Sequence, residues 1–219
     1  MLSRILFLIE KDFALHIKKA EVVLLQVFLG VTIFTLMRFI AEDSQLNGIS
    51  SGIFWVAFFL SGNLAINRMA QIDSTNKSSE GIILSGTGSI SIFIAKNVFL
   101  FVYSALIIFA LLPTHILFFN LWDRTDFPLI LGISFLTAFG FNSVLILTSS
   151  VISSVRFSEF MLPLVSLPLQ LPLLLAAVTI FDQSYGNISA NVSNWYLLLV
   201  VFDIVYFFLS LMLSLIIND

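Results

Sequence analysis

The sequence predicts an all-α, polytopic membrane protein of six transmembrane helices, preceded by an amphipathic helix that lies in the membrane interface. Three observations carry this. Hydrophobic residues fill 59% of 219 positions and charged residues 11%, about half the charge with which a soluble domain covers its surface. Apolar runs of roughly twenty residues, the length of a helix that crosses a bilayer core, recur along the whole chain. Lys and Arg gather in alternate gaps between those runs. The spread of the runs argues for one membrane domain over residues 21–219, with residues 1–20 as the interfacial helix.

In residues 3–18, at about 100° per residue, Ile5, Leu6, Ile9, Phe13 and Ile17 share one face, while Arg4, Lys11 and Lys18 share another. Such a helix suits the cytoplasmic interface, although Phe7 and His16 break the pattern, and a plain extension of the first span into the cytosol is the alternative. The opening MLSRILFLIEKDF has acidic residues inside its apolar stretch and no small-residue cleavage site after it. No removable signal peptide is therefore expected, and the first span serves as the insertion signal.

Windows of about nineteen residues place the spans at 22–41, 52–69, 97–119, 129–150, 160–181 and 195–217. The fifth, FMLPLVSLPLQLPLLLAAV, contains Pro163, Pro168 and Pro172. Each proline removes a backbone donor and crowds the carbonyl four residues earlier, so this helix is expected to be kinked or partly unwound. Lipid tolerates such breaks only where neighbouring helices or water satisfy the freed carbonyls. They mark a moving or substrate-facing element, or simply reflect the higher proline content of membrane helices.

Charge placement sets the direction. Arg4, Lys11, Lys18 and Lys19 precede the first span, Arg68, Lys77 and Lys96 flank the second loop, and Arg156 sits in the fourth, which puts all eight on one side. Only Arg38 and Arg124 fall on the other. Basic residues near span ends resist translocation, so the N-terminus is expected in the cytoplasm and, with six spans, the C-terminus as well. The net charge of −3 adds nothing to this.

No set of residues assembles catalytic chemistry. Cysteine is absent, which excludes disulfides, thiolate metal sites and a cysteine nucleophile. His16 and His115 each lack a second His or a carboxylate at helical metal-ligand spacing. His115 is read as an imidazole bonded to a neighbouring helix, with a haem or metal ligand as the weaker alternative. The GTGS run at 86–89 lacks the Lys-Ser/Thr ending of a phosphate-binding loop. The chain is accordingly expected to be no enzyme, to hold no cofactor or metal, to bind neither nucleotide nor nucleic acid, and to draw energy from elsewhere. Inside the hydrocarbon, Asp203 is the one clear ionisable group, and intramembrane ionisable groups suggest a pathway by default. Asn63, Asn97, Asn142 and Gln170 add polar points. The plain expectation for all five is an interhelical hydrogen bond.

The second loop is the most evident interaction surface. It runs RMAQIDSTNKSSEGIILSGTGSISIFIAK from Arg68. Met69, Ile72, Ile82, Ile83 and Leu84 are apolar anchors, and Arg68, Asp73 and Glu80 are charges that orient a contact with a soluble partner. A solvated connector is the alternative.

The stretches GIFWVAFFLSGNLAINRM at 52–69, the loop through Glu80 to Ala95 and Lys96, and LPLQLPLLLAA at 167–177 together resemble the haem exporter B, or cytochrome c maturation B, permeases of bacterial ABC-type systems. The resemblance covers nearly the whole chain, and departs from the family in a second loop rich in Ser, Thr and Asn where acidic and leucine residues are usual. It implies an ABC-2-like permease: a non-catalytic subunit of the bacterial inner membrane, moved by a separate cytoplasmic ABC ATPase through a coupling helix near residues 69–84. It also implies a haem-handling membrane protein, a small membrane subunit and a periplasmic haem chaperone as partners, with membrane lipid around them. Haem-handling relatives carry a tryptophan-rich loop. This chain has only the isolated Trp55, Trp122 and Trp195, so alone it is expected to bind no haem stoichiometrically. A generic ABC-2 exporter of lipid or drug, and a non-transporting scaffold whose ATPase releases bound proteins, share the same layout.

Overall fold

The computed structural model describes residues 2–16, 21–41, 43–75, 88–124, 126–152, 158–186 and 192–218. Every long element among them is helical: α1 Leu2–His16, α2 Glu21–Ile40, α3 Asp43–Thr75, α4 Ser89–Phe119, α5 Phe127–Ile152, α6 Ser158–Ser184 and α7 Ser193–Asn218. Helices satisfy their own backbone, which lipid requires. Many of their hydroxyls fold back on carbonyls of the preceding turn, as in Thr32 to Phe28, Ser134 to Ile130 and Thr148 to Val144.

Among the described residues, five helices are long and apolar enough to cross a bilayer: α2, α4, α5, Met161–Ser184 of α6 and Ser193–Ile216 of α7. The second expected span, 52–69, falls within α3, whose apolar part is the shorter Gly48–Leu64. Asn67 and Arg68 end the apolar run, but the helix itself continues to Thr75.

α4 and α5 form the centre, with half and two thirds of their spans buried, whereas α2 and α7 are mostly exposed. Packed pairs run α2 on α3 and α4, α3 on α6, α5 on α6 and α7, and α4 on α5 and α7. Phe39 of α2 is 85% exposed and Ile216 of α7 is 73% exposed, apolar surface that lipid rather than water must cover. Close approach occurs at small residues. A Cβ on Gly62 of α3 would lie 2.8 Å from the Phe141 ring of α5.

The N-terminal helix differs in its packing face from the sequence expectation. α1 docks on α4, where Phe13 meets Phe99 edge-on at 5.2 Å. Leu8 is buried there, while Leu6, placed on the packing face by periodicity, is exposed together with Phe7. Periodicity locates an apolar stripe, but the partner helix chooses which edge of it to cover. Ile17 lies outside the described residues.

α6 stays helical through Pro163, Pro168 and Pro172, so the chain does not unwind there. α4 ends in a left-handed residue, Asn120 at φ 53°, with Leu121 N–H bonded to the Ile116 carbonyl. This cap turns the chain into the short 3-10 helix Trp122–Arg124 that leads to α5.

Candidate functional site

Of the residues expected to dock a partner, Arg68, Met69, Ile72 and Asp73 belong to the last two turns of α3, with their side chains outside the described set. Glu80, Ile82, Ile83 and Leu84 lie outside the described residues altogether. What the structure does bring together is a band of buried polar side chains inside the bundle.

Asn63 of α3 anchors the first cluster. Its Nδ2 donates to Gln170 Oε1 at 3.0 Å and to the Phe59 carbonyl at 2.8 Å. Its Oδ1 accepts from the Ser166 hydroxyl. Ser166 and Gln170 are four residues apart and so share one face of α6, the face turned to α3. Leu164, Leu171 and Leu175 are exposed on the other. The proline-rich helix therefore points its polar groups inward, and Ser166 also reaches the Pro163 carbonyl at 3.4 Å.

Two further pairs join other helices. Ser104 of α4 donates to Asn142 Oδ1 of α5 at 3.0 Å. His115 of α4 lies 2.9 Å from the Ser50 carbonyl of α3 through Nε2. A carbonyl only accepts, so Nε2 carries the proton and Nδ1 keeps a bare lone pair. Phe34, Phe54, Phe119 and Tyr185 surround the ring, and His115 is fully buried.

The expected interhelical hydrogen bonds thus form at Asn63, Asn142, Gln170 and His115. They do not form at Asp203 or Asn97, whose side-chain oxygens and nitrogen find no partner among the described residues although both residues are buried. Asn97 sits on α4 between Phe93 and Leu100, which fill that face with apolar volume. Asp203 packs instead against Gly140 of α5, where a Cβ would collide with its carboxylate. Ser166 and Ser104 were not singled out by sequence. Serines in membrane helices usually bond their own preceding turn, as Ser184 does with Ile180, and nothing local distinguishes the two that reach across.

Among the described residues these groups join helices in pairs: α3 with α6, α4 with α5, and α4 with α3. Among the described residues, no three His, Cys, Asp or Glu side chains converge as metal ligands would. No curated protein matches the chain. A family model described as CcmB protein matches residues 3–214, from α1 well into α7. With nearly its whole length matched, the chain belongs to the CcmB family, transmembrane permease components of haem transport in cytochrome c biogenesis.

Proposed function

We propose that the chain is the permease subunit through which a separate cytoplasmic ABC ATPase drives haem delivery, or release of a loaded haem chaperone, in cytochrome c maturation. The length of α3 carries the reading. Its apolar part ends at Leu64 and the helix runs on to Thr75, an arm of about 16 Å at 1.5 Å per residue. A helix that leaves the bilayer without a break acts as a lever. Force applied near Ile72 reaches Asn63 through continuous backbone, and Asn63 grips α6 through Ser166 and Gln170.

On this reading Gly48–Leu64 is the sixth crossing. At about 26 Å of rise it is slightly short of the roughly 30 Å hydrocarbon core. Burial of Phe54, Trp55, Phe58 and Phe59 keeps it among protein neighbours where that shortfall matters little. Arg68 then marks the cytoplasmic face, both termini are cytoplasmic, and the membrane is the bacterial inner membrane. The partners are the ATPase, the haem-handling membrane protein, the small membrane subunit and, across the membrane, the haem chaperone.

The test compares Ile72→Asp with Asn191→Asp as a control, scoring ATPase co-purification and membrane abundance. Ile72→Asp should lose roughly 2 kcal/mol of binding, as a buried interface anchor does, at normal abundance. Full ATPase recovery with Ile72→Asp would overturn the docking assignment, and equal loss with both variants would show general misfolding. An ATPase that co-purifies without haem or haem-handling partners would favour a generic exporter.

A further inference from the structure

Asp203 sits near the middle of α7 and is only 3% exposed. Neither carboxylate oxygen has a hydrogen-bond partner among the described residues. The carboxyl group rests on the bare backbone of Gly140 in α5, where Leu173 of α6 also closes in. α7 packs on α4, α5 and α6, and the titratable groups of each can be followed. α5 has none. α6 has Glu159 and Asp182, both acidic and near its ends. α4 has Lys96, exposed in its first turns, Tyr103, and His115, which is engaged with Ser50. α7 itself adds Tyr196 and Tyr206, the latter stacked on Phe202. Among the described residues no cation pairs with Asp203.

A carboxylate without cation or donor is poorly tolerated inside a bilayer, far worse than the neutral acid. The surroundings also have the wrong polarity for an anion. In a helix interior the amide N–H groups are spent on carbonyls four residues back, so the backbone exposed at Gly140 has acceptor capacity to spare and no donor. Thr137, one turn earlier on the same face of α5, is buried with a hydroxyl that has no partner among the described residues; a hydroxyl both donates and accepts, so it can serve the neutral acid as well as the anion. A carboxylic acid brings its own donor and matches such a wall.

We propose that Asp203 is a proton-binding site of the membrane domain: its carboxyl carries a proton while α7 is packed on α5 at Gly140, and gives that proton to water when the two helices separate. The O–H bond breaks, its electron pair stays on the carboxylate, and water takes the proton. Proton binding and helix packing are then linked, and lower pH favours the packed arrangement.

The test uses the full chain in lipid nanodiscs with aspartate labelled by 13C at the side-chain carboxyl. Infrared spectra at neutral pH should contain an isotope-shifted C=O stretch of a neutral aspartic acid, lost in Asp203→Asn and moved in Gly140→Ala, which displaces the carboxyl. Carboxylate bands alone in the labelled wild-type chain would overturn the proposal, and that readout needs no variant to fold. Thermal unfolding in the same discs adds the linkage. Wild type should lose stability as pH rises while Asp203→Asn, whose amide stands in for the neutral acid, should not. Parallel pH profiles for the two would refute the coupling.

Discussion

Asn63 uses nearly all of its hydrogen-bonding capacity to tie α3 to α6, giving both amide protons to Phe59 and Gln170 and taking one from Ser166. Cutting it back to leucine strands the Gln170 oxygen in a dry interior and leaves the Ser166 hydroxyl only its longer bond to the Pro163 carbonyl. The double replacement Asn63→Leu with Gln170→Leu leaves fewer orphans, so it should be less damaging than the sum of the singles. A double-mutant cycle read by unfolding in detergent should give a coupling of about 1 kcal/mol, the usual scale between membrane helices; a coupling near zero would deny the bond an energetic role. His115 makes a different prediction. Its free Nδ1 lone pair belongs to a ring packed among Phe34, Phe54, Phe119 and Tyr185 and fully buried in the closed bundle. Haemin added to the purified chain should therefore give the same Soret spectrum with wild type and His115→Ala. A band that vanishes in the variant would place haem at that ring. The polar residues in the spans were visible in the sequence as amides and acids among apolar letters. Their partners were not, because a serine gives no local sign of whether it bonds its own helix or the next.

At the scale of the element, hydropathy windows found the apolar parts of the helices and missed their extensions. α4 was expected from residue 97 but starts at Ser89, since SISIFIAK continues the helix and Phe93 packs on Phe207 of α7. α3 likewise outruns its apolar part, and the exposed Leu6 of α1 shows that periodicity cannot choose between two edges of one stripe. The glycines turn this packing into a measurable contrast. Gly62 faces Phe141, whose ring is held by Phe58 and Phe59 at centroid distances of 5.3 and 4.7 Å. Gly132 of α5 has nothing within 4 Å of a built Cβ. Gly62→Ala should cost about 1–3 kcal/mol through overpacking, whereas Gly132→Ala should gain roughly 0.5–1 kcal/mol from helix propensity. Thermal unfolding of the two variants in one detergent checks the pair, and equal shifts would mean that α3 and α5 do not touch as closely as the structure places them.

For the whole molecule, the number of crossings decides where the C-terminus lies. Among the described residues, five helices qualify as spans by length and composition, and the apolar Gly48–Leu64 of α3 is the short candidate for a sixth. If α3 did not cross, Arg68, Lys77 and Lys96 would follow an odd number of spans and lie opposite Arg4, Lys11, Lys18 and Lys19, against the bias that keeps basic residues in the cytoplasm. If it does cross, all of them share that side, and Asp219 returns to it. The burial of the aromatic run of α3 against α5 and α6 favours a helix threaded through the bundle over one lying along its surface. An enzyme reporter fused after Asp219 should therefore report cytoplasm and one inserted near Asn187 should report periplasm. With α3 outside the membrane, both signals would exchange, so a single pair of fusions distinguishes the six-span protein from the five-span one. The same result fixes the side on which the arm of α3 emerges, and with it whether Ile72 lies where a cytoplasmic ATPase can reach.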